Sequence, residues 1–107
     1  MIRTDITRVE DTTQCHFYAI EIKYRNSTTW KILRRYSDFR GFMKKMKTLN
    51  HTCERHFPPK KLFKKSSSVV KQRIKMLNLF LKRCIIMCID SQQTFGINSL
   101  VEFLSLE

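Results

Sequence analysis

The side chains able to do chemistry in this chain are overwhelmingly cations. Of 107 residues, 21 are Lys or Arg against nine Asp or Glu, a formal net charge of +12. The excess is unevenly placed. Residues 1–30 balance four bases with four acids, residues 31–83 set seventeen bases against only Asp38 and Glu54, and residues 84–107 carry three acids and no base. A surplus gathered in the middle of the chain implies a polyanionic partner, either nucleic acid or an anionic membrane surface. Acid–base catalysis has no comparable support, because His16, His51 and His56 are joined to no recognisable nucleophile or carboxylate pair, and an enzyme is not expected. His51-x-Cys53-x-x-His56 offers ligand types that zinc accepts. A closed site needs four ligands at familiar spacings, however, and no second half is present, so neither a metal nor another cofactor is expected.

The four cysteines, Cys15, Cys53, Cys84 and Cys88, follow no disulfide-scaffold spacing, and no secretory signal is read at the start. A reducing compartment is therefore expected, with Cys84 and Cys88 as small buried hydrophobes on one helix face. The longest near-apolar stretch, Cys84 to Ile89, is far short of the roughly 20 residues that span a bilayer.

These residues must be positioned by a modest set of elements. Tyr18, Ile20, Ile22 and Tyr24 alternate with Ala19, Glu21 and Lys23, the period of a strand with one buried face. Arg25, Asn26 and Ser27 supply turn chemistry, and a second run over Thr28 to Tyr36 completes an antiparallel hairpin; a further short strand near Ile6 to Val9 is weakly signalled. At Ser37 the period changes. Phe39, Phe42, Met43, Met46 and Leu49 recur at helical spacing opposite Arg40, Lys44, Lys45 and Lys47, and Ser37 or Asp38 can cap the start. The pattern lapses after Leu49, and Pro58-Pro59 then enforces an extended loop carrying Lys60, Lys61, Leu62, Phe63, Lys64 and Lys65. Val70, Ile74, Leu77, Leu81, Cys84 and Cys88 define a second long amphipathic helix from Val69. Ser99-Leu100-Val101-Glu102 reads as a capping box that opens a last short helix. Strands followed by helices make an α+β arrangement, one domain over residues 1–107, with helices packed on a small antiparallel sheet.

Three separated segments acquire meaning together: Arg34-Arg35-Tyr36-Ser37-Asp38-Phe39 at the strand-to-helix junction, Phe57-Pro58-Pro59-Lys60-Lys61 in the loop, and Arg73 through Leu81 in the second helix. In this order they resemble the phox-homology (PX) domain, of the kind found in sorting nexins, and the likeness runs over nearly the whole chain. The resemblance implies a three-stranded antiparallel sheet against a helical subdomain of three to four helices with a proline-containing loop. A basic pocket between sheet and helices would bind phosphatidylinositol 3-phosphate. It implies that Arg35 grips the 3-phosphate, Tyr36 packs against the inositol ring, a loop lysine (Lys61, with Lys60 the alternative) meets the 1-phosphate, and Arg73 hydrogen-bonds the 4- and 5-hydroxyls. Elementary chemistry agrees with these roles. A guanidinium presents a planar fork of donors to two phosphate oxygens and keeps its charge near neutral pH, and a Tyr face suits the C–H side of a sugar-like ring. Arg34 should point to the opposite side of its strand.

The expected function is therefore a peripheral membrane-targeting module on the cytoplasmic face of endosomal or vacuolar membranes. General attraction to anionic lipids would add to pocket recognition, with Leu62, Phe63, Lys64 and Lys65 as a tip that enters the lipid interface. An ordinary loop that tucks Phe63 into the core is the plainer alternative. Two rival functions are a PX-type protein-interaction platform with weak lipid affinity and a basic nucleic-acid binder. The second is disfavoured because the aromatics fall mostly at core periodicity.

Overall fold

The computed structural model describes residues 2–11, 16–24, 28–60 and 67–106. Three strands come first, β1 (Ile2–Asp11), β2 (His16–Tyr24) and β3 (Thr28–Arg35), followed by α1 (Tyr36–Lys47), a short 3-10 helix (His51–His56), α2 (Ser67–Ser91) and α3 (Thr94–Leu104). The strands form one antiparallel sheet in the order β1-β2-β3, with Tyr24 opposite Thr28 and Phe17 opposite Arg35 across the second ladder. The hairpin expected from the alternating pattern is thus present. Its inward residues Tyr18, Ile20 and Ile22 are fully buried, and so is Ala19 on the reverse face.

β1 is longer than its weak signal implied. Its register against β2 shifts between Ile6 and Arg8, so that Thr7 is a bulge and the inward phase set by Ile2, Thr4 and Ile6 is lost before Val9. At that irregularity α2 grips the sheet edge. The Asn78 Oδ1 accepts from the Ile6 N–H at 2.8 Å, and its Nδ2 donates to the Ile6 carbonyl at 3.2 Å. One side chain thereby pairs both backbone groups of a residue whose own side chain is buried. Asn78→Leu, which keeps the bulk but neither hydrogen bond, is expected to cost about 2 kcal/mol of stability by chemical denaturation. An unchanged midpoint would mean that water replaces the amide.

α1 buries Phe39, Phe42, Met43 and Met46 and turns Arg40, Lys44, Lys45 and Lys47 to solvent, as its periodicity required. It starts two residues earlier than a Ser37 cap would give, and three earlier than an Asp38 cap. Arg35 occupies the N-cap position, Tyr36 is the first helical residue, and Asp38 acts from the third position, accepting the Arg35 backbone N–H at 2.8 Å. The stretch after Leu49 is not irregular but a 3-10 helix, capped by Asn50, whose side chain accepts from the Thr52 N–H at 3.0 Å. α2 buries Leu77, Phe80, Leu81, Cys84, Ile85 and Cys88, and burial pushes the Cys84 thiol well above its ordinary range and raises that of Cys88.

The expectation for the last helix needs correcting. α3 begins at Thr94, so Ser99 lies inside it and caps nothing; its hydroxyl donates to the Phe95 carbonyl one turn back, at 2.8 Å. Tertiary burial extends the helix backwards. Gly96 sits so close to the end of α1 that a Cβ there would lie 2.7 Å from Leu49 Cδ1. The far end of α3 closes with Ser105 in the left-handed region (φ 56°), donating to the Glu102 carbonyl, while the Leu106 N–H reaches the Val101 carbonyl at 2.9 Å and its side chain folds back into the core.

Candidate functional site

The junction between β3 and α1 separates two adjacent arginines. Extended geometry sends their side chains to opposite faces, and the helix begins immediately afterwards. Arg34 turns to α3. Its Nε donates to the Phe103 carbonyl at 3.0 Å and its Nη2 to the Ser105 Oγ at 2.9 Å, with the guanidinium 5.7 Å from the centre of the Phe103 ring. A cation there satisfies a terminal carbonyl of α3 and complements the negative end of its dipole, so Arg34 is a structural clasp. Arg35 is exposed on the other side.

Tyr36 is fixed from three directions. Its hydroxyl donates to the Pro58 carbonyl at 2.6 Å, and its ring lies 5.5 Å from that of Phe57, tilted by 41°. The Arg73 guanidinium stands 4.2 Å from the ring centre. Phe57 in turn packs edge-on against Phe80 of α2 at 5.1 Å, and Pro58 is fully buried. The first half of the proline loop is therefore nailed to the core, with exposed Pro59 and Lys60 following directly from the Pro58 carbonyl that Tyr36 holds. Lys61, Leu62, Phe63, Lys64 and Lys65 lie outside the described residues.

Arg73 is the unusual member. It is only 3% exposed, yet among the described residues its Nε and Nη2 find no hydrogen-bond partner. A guanidinium taken from water ordinarily recovers its hydration through such bonds, so a pair of buried, unfilled donors is costly to keep. The buried Tyr18 hydroxyl beside it likewise has no hydrogen-bond partner among the described residues. Burial raises the pKa of that hydroxyl above its ordinary value, and Arg73, within reach of a loose hydrogen bond to it, pulls it the other way by that contact first and by its charge second. Tyr18 thus joins the site from β2. Its inward position was legible in the sequence, but its neighbour on α2 was not; the one available signal was a phenol on a core face, which needs a polar partner.

Arg35, Tyr36, Lys60 and Arg73 thus belong to one region of the fold, supplied by the strand-to-helix junction, the proline loop and the second turn of α2. The chemistry they offer is that of a cluster of cations around one aromatic ring. Among the described residues no group of three or more His, Cys, Asp or Glu is placed to hold a metal ion.

Residues 22–95 match the family model of the PX domain, which covers more than half of the chain. The chain belongs to the PX domain family. PX domains are in general non-enzymatic modules that bind phosphoinositides at membrane surfaces. The fold is similar to that of a designed CISK-PX domain, with a TM-score of 0.74 and 20% identity over 90% of this chain and 95% of that one. It is also similar to the mouse SNX19 PX domain, with a TM-score of 0.71 and 20% identity over 100% of this chain and 98% of that one. A comparison with curated protein sequences gives no match. Among the described residues of this PX domain no helix is long and apolar enough to cross a membrane.

Proposed function

We propose that this PX domain binds phosphatidylinositol 3-phosphate and thereby docks on the cytoplasmic face of endosomal or vacuolar membranes. The observation that supports the reading is Arg73, whose buried guanidinium lies on the Tyr36 ring with two donors that have no hydrogen-bond partner among the described residues. Hydroxyl groups of an inositol ring are the acceptors that such donors lack, and a ligand that supplies them relieves a cost already present in the free protein. Arg35 then takes the 3-phosphate with its planar fork, and Lys60 or Lys61 takes the 1-phosphate. Tyr36 offers the inositol what remains of its half-buried ring after Arg73 has covered part of it. The SNX19 PX domain was solved with a bound sulphate ion, a tetrahedral dianion comparable to a phosphate group, and that supports an anion-binding role for this fold.

The direct test is sedimentation with liposomes carrying each phosphoinositide in turn. Preferential pelleting with phosphatidylinositol 3-phosphate is expected, and equal pelleting with phosphatidylserine alone at matched charge would reduce the domain to a general anion binder.

Leu62 and Phe63, flanked by Lys64 and Lys65, are proposed to enter the lipid interface beside the pocket. Phe63→Ser is therefore expected to weaken liposome binding about tenfold, from lost burial of an aromatic side chain of about 1.5 kcal/mol. Affinity for a soluble short-chain headgroup should be unaffected. Equal losses in the two assays would place Phe63 in the core instead.

A further inference from the structure

The opposite flank of α2 carries a feature that lipid docking leaves unused. A groove of about 940 Å³ runs between α2 and the β1 edge, walled by Ile2, Met76, Leu79, Ile85, Ile86 and Ile89. Three of those side chains stand well into solvent: Leu79 is 42% exposed, Ile86 49% and Ile89 54%. Large aliphatic side chains gathered in one groove, rather than scattered singly, mark a surface that another molecule covers.

We infer that this groove is a docking site for an amphipathic helix with acidic flanks, presented by a partner protein. Charge selects the sign of the partner. Arg3, Lys75 and Lys82 line the groove against Asp5 alone, which favours an acidic segment and disfavours a second copy of this strongly basic chain. Backbone chemistry selects its shape. A strand would have to pair with the β1 edge, but Asn78 already occupies both backbone groups of Ile6 there, whereas a helix needs only the apolar walls. Leu79 to Ile89 spans roughly 15 Å of helix, enough for about three turns of a partner.

Position argues against lipid as the occupant. Ile89 lies sixteen residues beyond Arg73, roughly 24 Å along the axis of α2, so a domain whose pocket end faces a membrane holds this end of the groove away from it. That orientation rests on the pocket reading proposed above; the groove itself does not.

The test uses a fluorescein-labelled synthetic helix of about 16 residues. Leu occupies the i, i+3, i+4 and i+7 positions and Glu the outer ones, and anisotropy is read with the intact domain in the absence of lipid. Saturable binding is expected, weakened about tenfold for a scrambled peptide of the same composition and about tenfold for the neutral, solvent-facing substitution Ile86→Ser. Lys82→Gln should weaken it less, by about threefold. Liposome binding by Ile86→Ser should equal that of the wild type. Loss of liposome binding in that variant would make the groove a lipid surface, and scrambled or Ile86→Ser binding equal to the reference would reduce the effect to net charge; either result overturns the inference, as does failure of the peptide to bind. Peptide binding by a domain that ignores phosphoinositides would uphold the groove while refuting the pocket.

Discussion

Arg35→Ala is expected to lower affinity for soluble phosphatidylinositol 3-phosphate by about 100-fold or more while lowering the melting temperature of the domain by no more than a few degrees. The two halves of that expectation come from different atoms. The fold uses the backbone of residue 35, whose N–H is held by the Asp38 carboxylate at the start of α1, and alanine retains that bond. The side chain is exposed, and the interactions of an exposed charged group with the fold contribute only about 0–1 kcal/mol. Binding uses the side chain. Two charge-assisted hydrogen bonds to one phosphate, at about 1.5 kcal/mol or more each, amount to at least about 3 kcal/mol and hence roughly two orders of magnitude in affinity. Arg35→Lys should fall between, keeping the charge and losing the fork. Isothermal calorimetry beside thermal unfolding measures both quantities, and near-wild-type affinity in Arg35→Ala would remove the 3-phosphate from this residue.

Arg73→Met is expected to do something less familiar: abolish headgroup binding and make the protein more stable. Two terms oppose each other. Removing the guanidinium forfeits its contact with the Tyr36 ring at 4.2 Å, worth about 2 kcal/mol when desolvated. It also removes two buried donors with no partner among the described residues, each carrying a desolvation cost of about 1–3 kcal/mol and more when charged. Methionine fills a comparable volume with nothing to satisfy, so the second term wins and a net gain of about 1–2 kcal/mol is expected, a rise of several degrees in melting temperature. A drop of several degrees with binding retained would show that Arg73 is a strut of the core and no ligand group. The contrast with Arg35 is informative in itself, since truncating one arginine is expected to cost the fold little and replacing the other to benefit it.

Much of this architecture could be read directly from residue spacing, and the failures have local causes. Tyr18, Ile20 and Ile22 on β2, and Phe39, Phe42, Met43 and Met46 on α1, keep one period over their whole element, so their buried faces were legible. β1 was faint because its Thr7 bulge breaks the period between Ile6 and Val9, and a pattern method counts the break as noise. Ser99 and Glu102 satisfied a local rule for a helix start, yet Leu100, Phe103 and Leu104 belong to a longer helix whose upstream part is fixed by the tight contact at Gly96. The order of Arg35, Tyr36, the Pro58-Pro59 loop and Arg73 was equally visible. What held them together was not: the Tyr36 hydroxyl on the Pro58 carbonyl and the Arg73 guanidinium on the Tyr36 ring are contacts between elements, which no spacing within an element encodes.

The grip of Asn78 on Ile6 has a meaning beyond the stability of one strand. A three-stranded sheet in the order β1-β2-β3 has β1 along one border, and an open border of backbone donors and acceptors invites the same border of another molecule to zip onto it. By filling the hydrogen-bonding capacity of Ile6 at the middle of β1, a single amide from α2 interrupts that template halfway along its length. The bulge at Thr7 immediately beyond it twists the rest out of line. An edge interrupted in this way is a poor template for edge-to-edge pairing between copies of the domain.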